Sequence, residues 1–166
     1  MKHRERDRSV GFVAAALLAG MGLSILGGCS TTPAPVLRVL AVREVDSTPA
    51  GRVLAIEIEA DNSGEEALPL REIEYSVIAG GRKVFTASRS PEATLRRFGT
   101  QTITVPAVVP PESIASGQPV RVEGRLWYVV PGPIQRILFD VGVSRPNVEL
   151  SGERVVNAPP DEATSR

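Results

Sequence analysis

The 166-residue chain holds one thiol, Cys29, directly after Leu26-Gly27-Gly28. A thiolate is a strong nucleophile and a ready acceptor for an acyl-bearing group. Gly27 and Gly28 are small enough for an extended backbone to enter a peptidase cleft, and Leu26 supplies an apolar anchor beside the cut. The four residues together read as a cleavage and lipidation signal, with Cys29 taking a diacylglyceryl group and becoming the new N-terminus. Three other groups have side chains suited to chemistry. Glu57/Glu59 and Glu72/Glu74 are carboxylates two residues apart, a spacing that puts both on one face of a strand. Arg89, Arg96 and Arg97 gather around Pro91, where guanidinium groups would suit lipid phosphates or an anionic glycan. Trp127 lies beside Arg125 on the outward phase of its strand and marks a candidate contact surface.

The residues around Cys29 support the first reading. Residues 1–8 carry Lys2, Arg4, Arg6 and Arg8 against Glu5 and Asp7, and residues 10–26 run without a charge. A basic start, an apolar run and small residues at the cut define a secretory signal. An uncleaved membrane anchor and an unlipidated signal peptide are the alternatives. The run is short for a span of ~20 residues, and Gly11, Gly20 and Gly22 weaken it as a helix. The expected organisation is a bacterial lipoprotein signal peptide over 1–28, a lipidated N-terminus and tether over 29–35, a folded domain over 36–150 and a polar, disordered tail over 151–166. The protein is expected to be exported and anchored to a membrane through its N-terminal lipid. Ser30 after the lipidated position points to the outer membrane, facing the periplasm.

Composition narrows the chemistry. The only histidine is His3, inside the signal, and Lys83 is the only lysine beyond it. The mature chain therefore has no imidazole base and no His or free Cys ligand for zinc or copper. A Ser-His-Asp or Cys-His site is excluded, and no Gly-rich frame holds a lysine for phosphate binding. With the signal removed, 15 basic residues face 17 acidic ones, which gives no case for a nucleic-acid partner. No cofactor or metal is expected, and the glutamate pairs read as exposed acids on a wet face.

The elements that would position these residues are short strands. Residues 36–45 are rich in β-branched side chains, and residues 53–60 alternate with Leu54, Ile56, Ile58 and Ala60 on one face. Residues 71–78 put Ile73, Tyr75 and Val77 inward, and Gly80-Gly81 turns the chain into residues 82–88. Residues 100–105 resume the pattern before a proline-rich stretch with room for one helical turn over 111–116. Residues 120–130 put Val120, Val122, Gly124, Leu126, Tyr128 and Val130 on one side, and residues 134–143 read as a last strand. About seven strands without a long helix predict an all-β fold, an antiparallel sandwich.

Leu68-Pro69-Leu70-Arg71-Glu72-Ile73-Glu74-Tyr75-Ser76-Val77, with Asp61-Asn62 upstream and Gly80-Gly81 after it, resembles the late embryogenesis abundant type 2 (LEA-2) family, which includes the water-stress and hypersensitive-response (WHy) domain. Val122-Glu123-Gly124-Arg125-Leu126 and Leu138-Phe139-Asp140 look like its closing strands. The resemblance implies an immunoglobulin- or fibronectin-III-like sandwich without catalytic residues, in proteins tied to desiccation and stress. The expected role is a non-catalytic binding or structural module. An accessory subunit of an envelope complex, and an enzyme using carboxylates alone on glycans, are the alternatives.

Overall fold

The computed structural model describes residues 32–115 and 117–157. The chain divides into two compact units, Met1–Thr31 and Thr32–Arg166. The first lies outside the described residues, and with it Leu26, Gly27, Gly28 and Cys29. The second unit contains strands β1 (Val36–Thr48), β2 (Gly51–Asn62), β3 (Leu68–Ala79), β4 (Arg82–Arg89), β5 (Thr94–Leu95), β6 (Gly99–Val109) and β7 (Pro119–Tyr128). A helix, α1 (Pro133–Asp140), and a last strand, β8 (Asn147–Asn157), complete it.

The strands form one sheet in the order β4-β3-β7-β8-β1-β2-β6, with β5 paired to the start of β3. All pairings are antiparallel except β1 with β8, which run in the same direction and meet at Val42↔Val156 and Arg43↔Asn157. The sheet is therefore mixed, and the expectation of a wholly antiparallel arrangement is corrected. It curls until its inner face closes on itself. The Tyr75 hydroxyl on β3 donates to the Pro106 carbonyl on β6, at the other end of the strand order.

Period-two patterning fills the space inside. Leu54, Ile56, Ile58 and Ala60 on β2 are fully buried, as are Ile73, Tyr75 and Val77 on β3 and Val120, Val122 and Leu126 on β7. Ile73 and Leu126 are direct neighbours across β3 and β7. The Tyr75 and Phe85 rings pack with centroids 5.8 Å apart. Among the described residues, all core residues belong to the unit from Thr32 onward, so this unit has a core of its own.

Three expectations about elements are corrected. Residues 134–143 are not a strand: α1 occupies Pro133–Asp140, with Pro133 in its first turn. Its C-terminus closes through Gly142 (φ 76°), with the Gly142 N–H donating to Phe139 O and the Val143 N–H to Leu138 O. A proline at the start and a glycine just past the end favour a short helix over a strand. Of the expected tail, residues 158–166 lie outside the described residues, while residues 151–157 are instead part of β8, paired with β7 from Asn147↔Trp127 to Val155↔Pro119. Its polar look arises because one face meets water. Finally, β6 does not stop at Val105 but continues through Pro106 to Val109. Proline is tolerated there because β6 is an edge strand.

Candidate functional site

Strand direction determines which loops share an end of the molecule. The start of β1, the end of β2, the starts of β3 and β6, the end of β7 and the start of β8 lie together, as the registers Val36↔Asp61, Asn62↔Gly99, Leu70↔Tyr128 and Trp127↔Asn147 require. Pro33 packs against Gly64 at this end. Pro35 is buried, so the tether expected over 29–35 joins the fold before it reaches β1. We call this the tether end. Its loops are residues 63–67, 90–98 and 129–146.

A buried asparagine organises the first two loops. Asn62 continues the inward phase of β2 and is 1% exposed. Its Nδ2 donates to the carbonyls of Glu66 (2.7 Å) and Arg96 (3.0 Å), and its Oδ1 accepts from the Gly64 N–H (3.0 Å). The Phe98 N–H donates to Gly64 O at 3.1 Å. One side chain thus satisfies three backbone groups that would otherwise lack partners. The Asp61-Asn62 pair of the family pattern therefore has a structural basis.

The candidate contact residues all fall near the tether end but on different surfaces. Arg89 ends β4 opposite Ile73, on the inner side of an edge strand. It lines a slot of about 570 Å³ between the open edges of β4 and β6, with Ser88, Ser90, Pro91, Gln101 and Thr104. Arg96 and Arg97 are exposed in the turn between β5 and β6. Trp127 is half-buried on the outer face of β7, opposite Glu72 and Asn147. The sheet therefore separates Trp127 from Arg89.

The carboxylates lie on open faces beside cations. Glu57 pairs with Arg43 at 2.9 Å and Glu59 with Arg38 at 3.5 Å, in a ladder along β1 and β2. Glu72 accepts a hydrogen bond from the Ser88 hydroxyl. Glu74 borders a shallow depression of about 510 Å³ with Lys83, Glu123, Arg125 and Glu149. In that depression Arg125 pairs with Glu149 at 3.5 Å. Among the described residues, no three His, Cys, Asp or Glu side chains come together as metal ligands.

The ion pair that sequence reasoning missed is buried at the opposite end. Arg52 Nε donates to Glu44 Oε1 at 3.0 Å, its Nη2 donates to Glu44 Oε2, and its Nη1 reaches the Ile114 carbonyl. Glu44 is 4% exposed and Arg52 8%. Hydrogen bonds from Arg52 hold the Glu44 carboxyl below its usual range, and the same bonds raise the Arg52 value. The signal was present in the sequence: Arg52 is in phase with Leu54, Ile56 and Ile58. Burial pushes both tyrosine hydroxyls, Tyr75 and Tyr128, upward.

The fold resembles solved structures. A protein from Arabidopsis thaliana known in solution superposes with a TM-score of 0.54 at 15% identity, over 83% of this chain and 92% of that one. A putative late embryogenesis abundant (LEA) protein, also solved in solution, gives a TM-score of 0.51 at 18% identity over 87% and 84%. At such identities the likeness concerns the fold alone. None of the curated proteins matches the chain. The family described as late embryogenesis abundant protein, LEA_2, matches residues 57–152, more than half of the 166 residues. The matched span runs from the middle of β2 to the middle of β8, and the chain belongs to the LEA_2 family of late embryogenesis abundant proteins.

Proposed function

We propose that this protein is a lipid-anchored envelope module, exported and held to a bacterial membrane through Cys29, whose LEA_2 domain binds or supports without catalysing a reaction. The observation that carries the reading is where the fold begins. Thr32 is the third residue after Cys29, Pro33 lies beside Gly64, and Pro35 is buried. Three extended residues reach only ~10 Å, so a lipid on Cys29 would keep the tether end next to the bilayer. Family membership supports a stress-related, non-catalytic role. The Tyr75–Pro106 bond between distant strands supports viewing the two halves of the curl as facing layers of an immunoglobulin- or fibronectin-III-like sandwich. Ser30 supports sorting to the outer membrane, with the domain facing the periplasm.

The test is the intact mass of the mature protein. An N-terminal Cys29 carrying diacylglycerol is expected, and Cys29→Ala should leave the chain unprocessed or free of the membrane. An unmodified Cys29, or a mature N-terminus elsewhere, would refute the anchor. The open edges of β4 and β6 favour a second reading, an accessory subunit of an envelope complex that accepts a partner's strand. Cross-linking from Thr104 on β6 in intact cells would capture such a partner.

A further inference from the structure

A surface helix ordinarily turns its apolar stripe toward the core, but α1 does the reverse. Ile134, Ile137 and Val141 follow one another at helical spacing on one face and are 65%, 62% and 64% exposed. Only Phe139, on the other side, is buried, and the Arg145 guanidinium lies 5.3 Å from the centre of its ring. Val143, just past the helix, is 73% exposed. The exposed apolar face is thus held outward by an anchored aromatic and a closed C-terminus. Phe98, on the neighbouring loop of the same end, is 67% exposed and has φ of 49°. Among the described residues no other segment this short exposes so many large aliphatic side chains.

The location indicates what covers this face. The chain enters the fold at the tether end, where Pro33 meets Gly64, and Gly64 O accepts the Phe98 N–H. Pro69 O accepts the Val129 N–H, and Ala67, Pro69, Pro133 and Arg136 line one surface depression. The loops around α1 and the point of chain entry therefore belong to one end. The 31 residues before Thr32 include the uncharged run 10–26 and Cys29.

We propose that the tether end rests on the phospholipid surface to which the chain is anchored, with Ile134, Ile137, Val141 and Phe98 in the boundary between headgroups and acyl chains. The proposal rests on the anchored reading above. The loops of this end carry Arg96, Arg97, Arg136 and Arg145 against Glu65, Glu66, Glu92 and Asp140, an even balance. Apolar burial therefore dominates over attraction to anionic lipid, and docking depends weakly on salt. The short tether supplies the high local concentration that a single short helix needs.

The test uses the unit from Thr32 onward, which has a core of its own, bearing an N-terminal hexahistidine tag. It is held on phosphatidylethanolamine/phosphatidylglycerol vesicles doped with a nickel-chelating lipid, so no lipid on Cys29 is required. Hydrogen exchange over residues 133–143 should slow by about tenfold relative to the same protein in solution. Ile137→Ser with Val141→Ser should abolish the slowing, whereas Val108→Ser with Val155→Ser should preserve it. Equal exchange on vesicles and in solution would overturn the proposal, whatever the mass at Cys29 shows. Protection without vesicles, accompanied by a dimer that the Ile137/Val141 variant loses, would overturn it in favour of a second copy of the chain. Protection found in the full chain in solution but not in the Thr32 unit would reassign the face to residues 10–26. Slowed exchange together with an unmodified Cys29 would leave the docking face standing and remove the lipid anchor.

Discussion

Glu44 and Arg52 sit where the β1–β2 hairpin closes, and between them they form a bidentate pair that also reaches the Ile114 carbonyl. The pair links the hairpin to the proline-rich segment before β7. Removing one partner of a buried pair leaves the other uncompensated, at a cost of about 3 kcal/mol. Glu44→Gln should therefore lower the stability of the domain by that order in urea unfolding at pH 7. The pH dependence follows from the lowered carboxyl of Glu44. A group whose folded value lies below its unfolded value of ~4.3 stabilises fully above that value and loses its contribution as pH falls through the folded one. The difference between wild type and Glu44→Gln should accordingly be constant from neutral pH down to about 5 and shrink below about 4. A difference that stays the same down to pH 3 would show that the ionised pair is not the source of the stability.

At the scale of elements, strands with one wet face were legible and segments that break that pattern were not. The inward phases of β2, β3 and β7 were readable because a period of two has one physical meaning when a single face is buried. Residues 134–143 misled because Ile134, Ile137, Val141 and Val143 are apolar, yet they point to water, so the usual link between apolar and inward fails there. The better signals were Pro133 and Gly142, whose backbone preferences do not depend on burial. In β8, Ser151, Glu153 and Arg154 hid a strand whose inward residues are Leu150, Gly152 and Val156. The loop-fixing role of Asn62 could not be read, because its partners at Glu66 and Arg96 are backbone carbonyls brought near only by the fold. Gly124 lies opposite Tyr75 where β3 and β7 meet, and an added Cβ would fall 3.1 Å from Tyr75 Cα and closer still to the Glu74 carbonyl. Backbone cannot yield as a flexible side chain would, so Gly124→Ala should cost about 2–3 kcal/mol through strain between the two strands. Thermal unfolding would check this, and an unchanged midpoint would mean that β3 and β7 slide apart freely.

In the unit from Thr32 onward, the curled sheet carries its buried ion pair at one end and the exposed apolar side chains of α1 and Phe98 at the other. The glutamates other than Glu44 lie along the outside, Glu57 and Glu59 paired with Arg43 and Arg38 on the neighbouring strand. Glycoside cleavage by carboxylates alone needs two acids facing each other across a cleft, ~5–9.5 Å apart according to mechanism. It also needs a pocket that keeps one of them protonated near neutral pH. Glu57 and Glu59 instead stand on an open face with Arg43 and Arg38, and Glu74 borders a depression shared with Lys83 and Arg125. The chain from Thr32 onward has no histidine to replace them, and its single lysine, Lys83, is exposed on β4. The domain from Thr32 onward should therefore turn over ester, glycan, peptide and phosphoester substrates no faster than a heat-denatured control. Glu74→Gln and Glu123→Gln serve as probes of the depression, and both should leave that baseline unchanged. Reproducible turnover by the wild type that either substitution removes would identify the outer face of β3 and β7 as a catalytic surface.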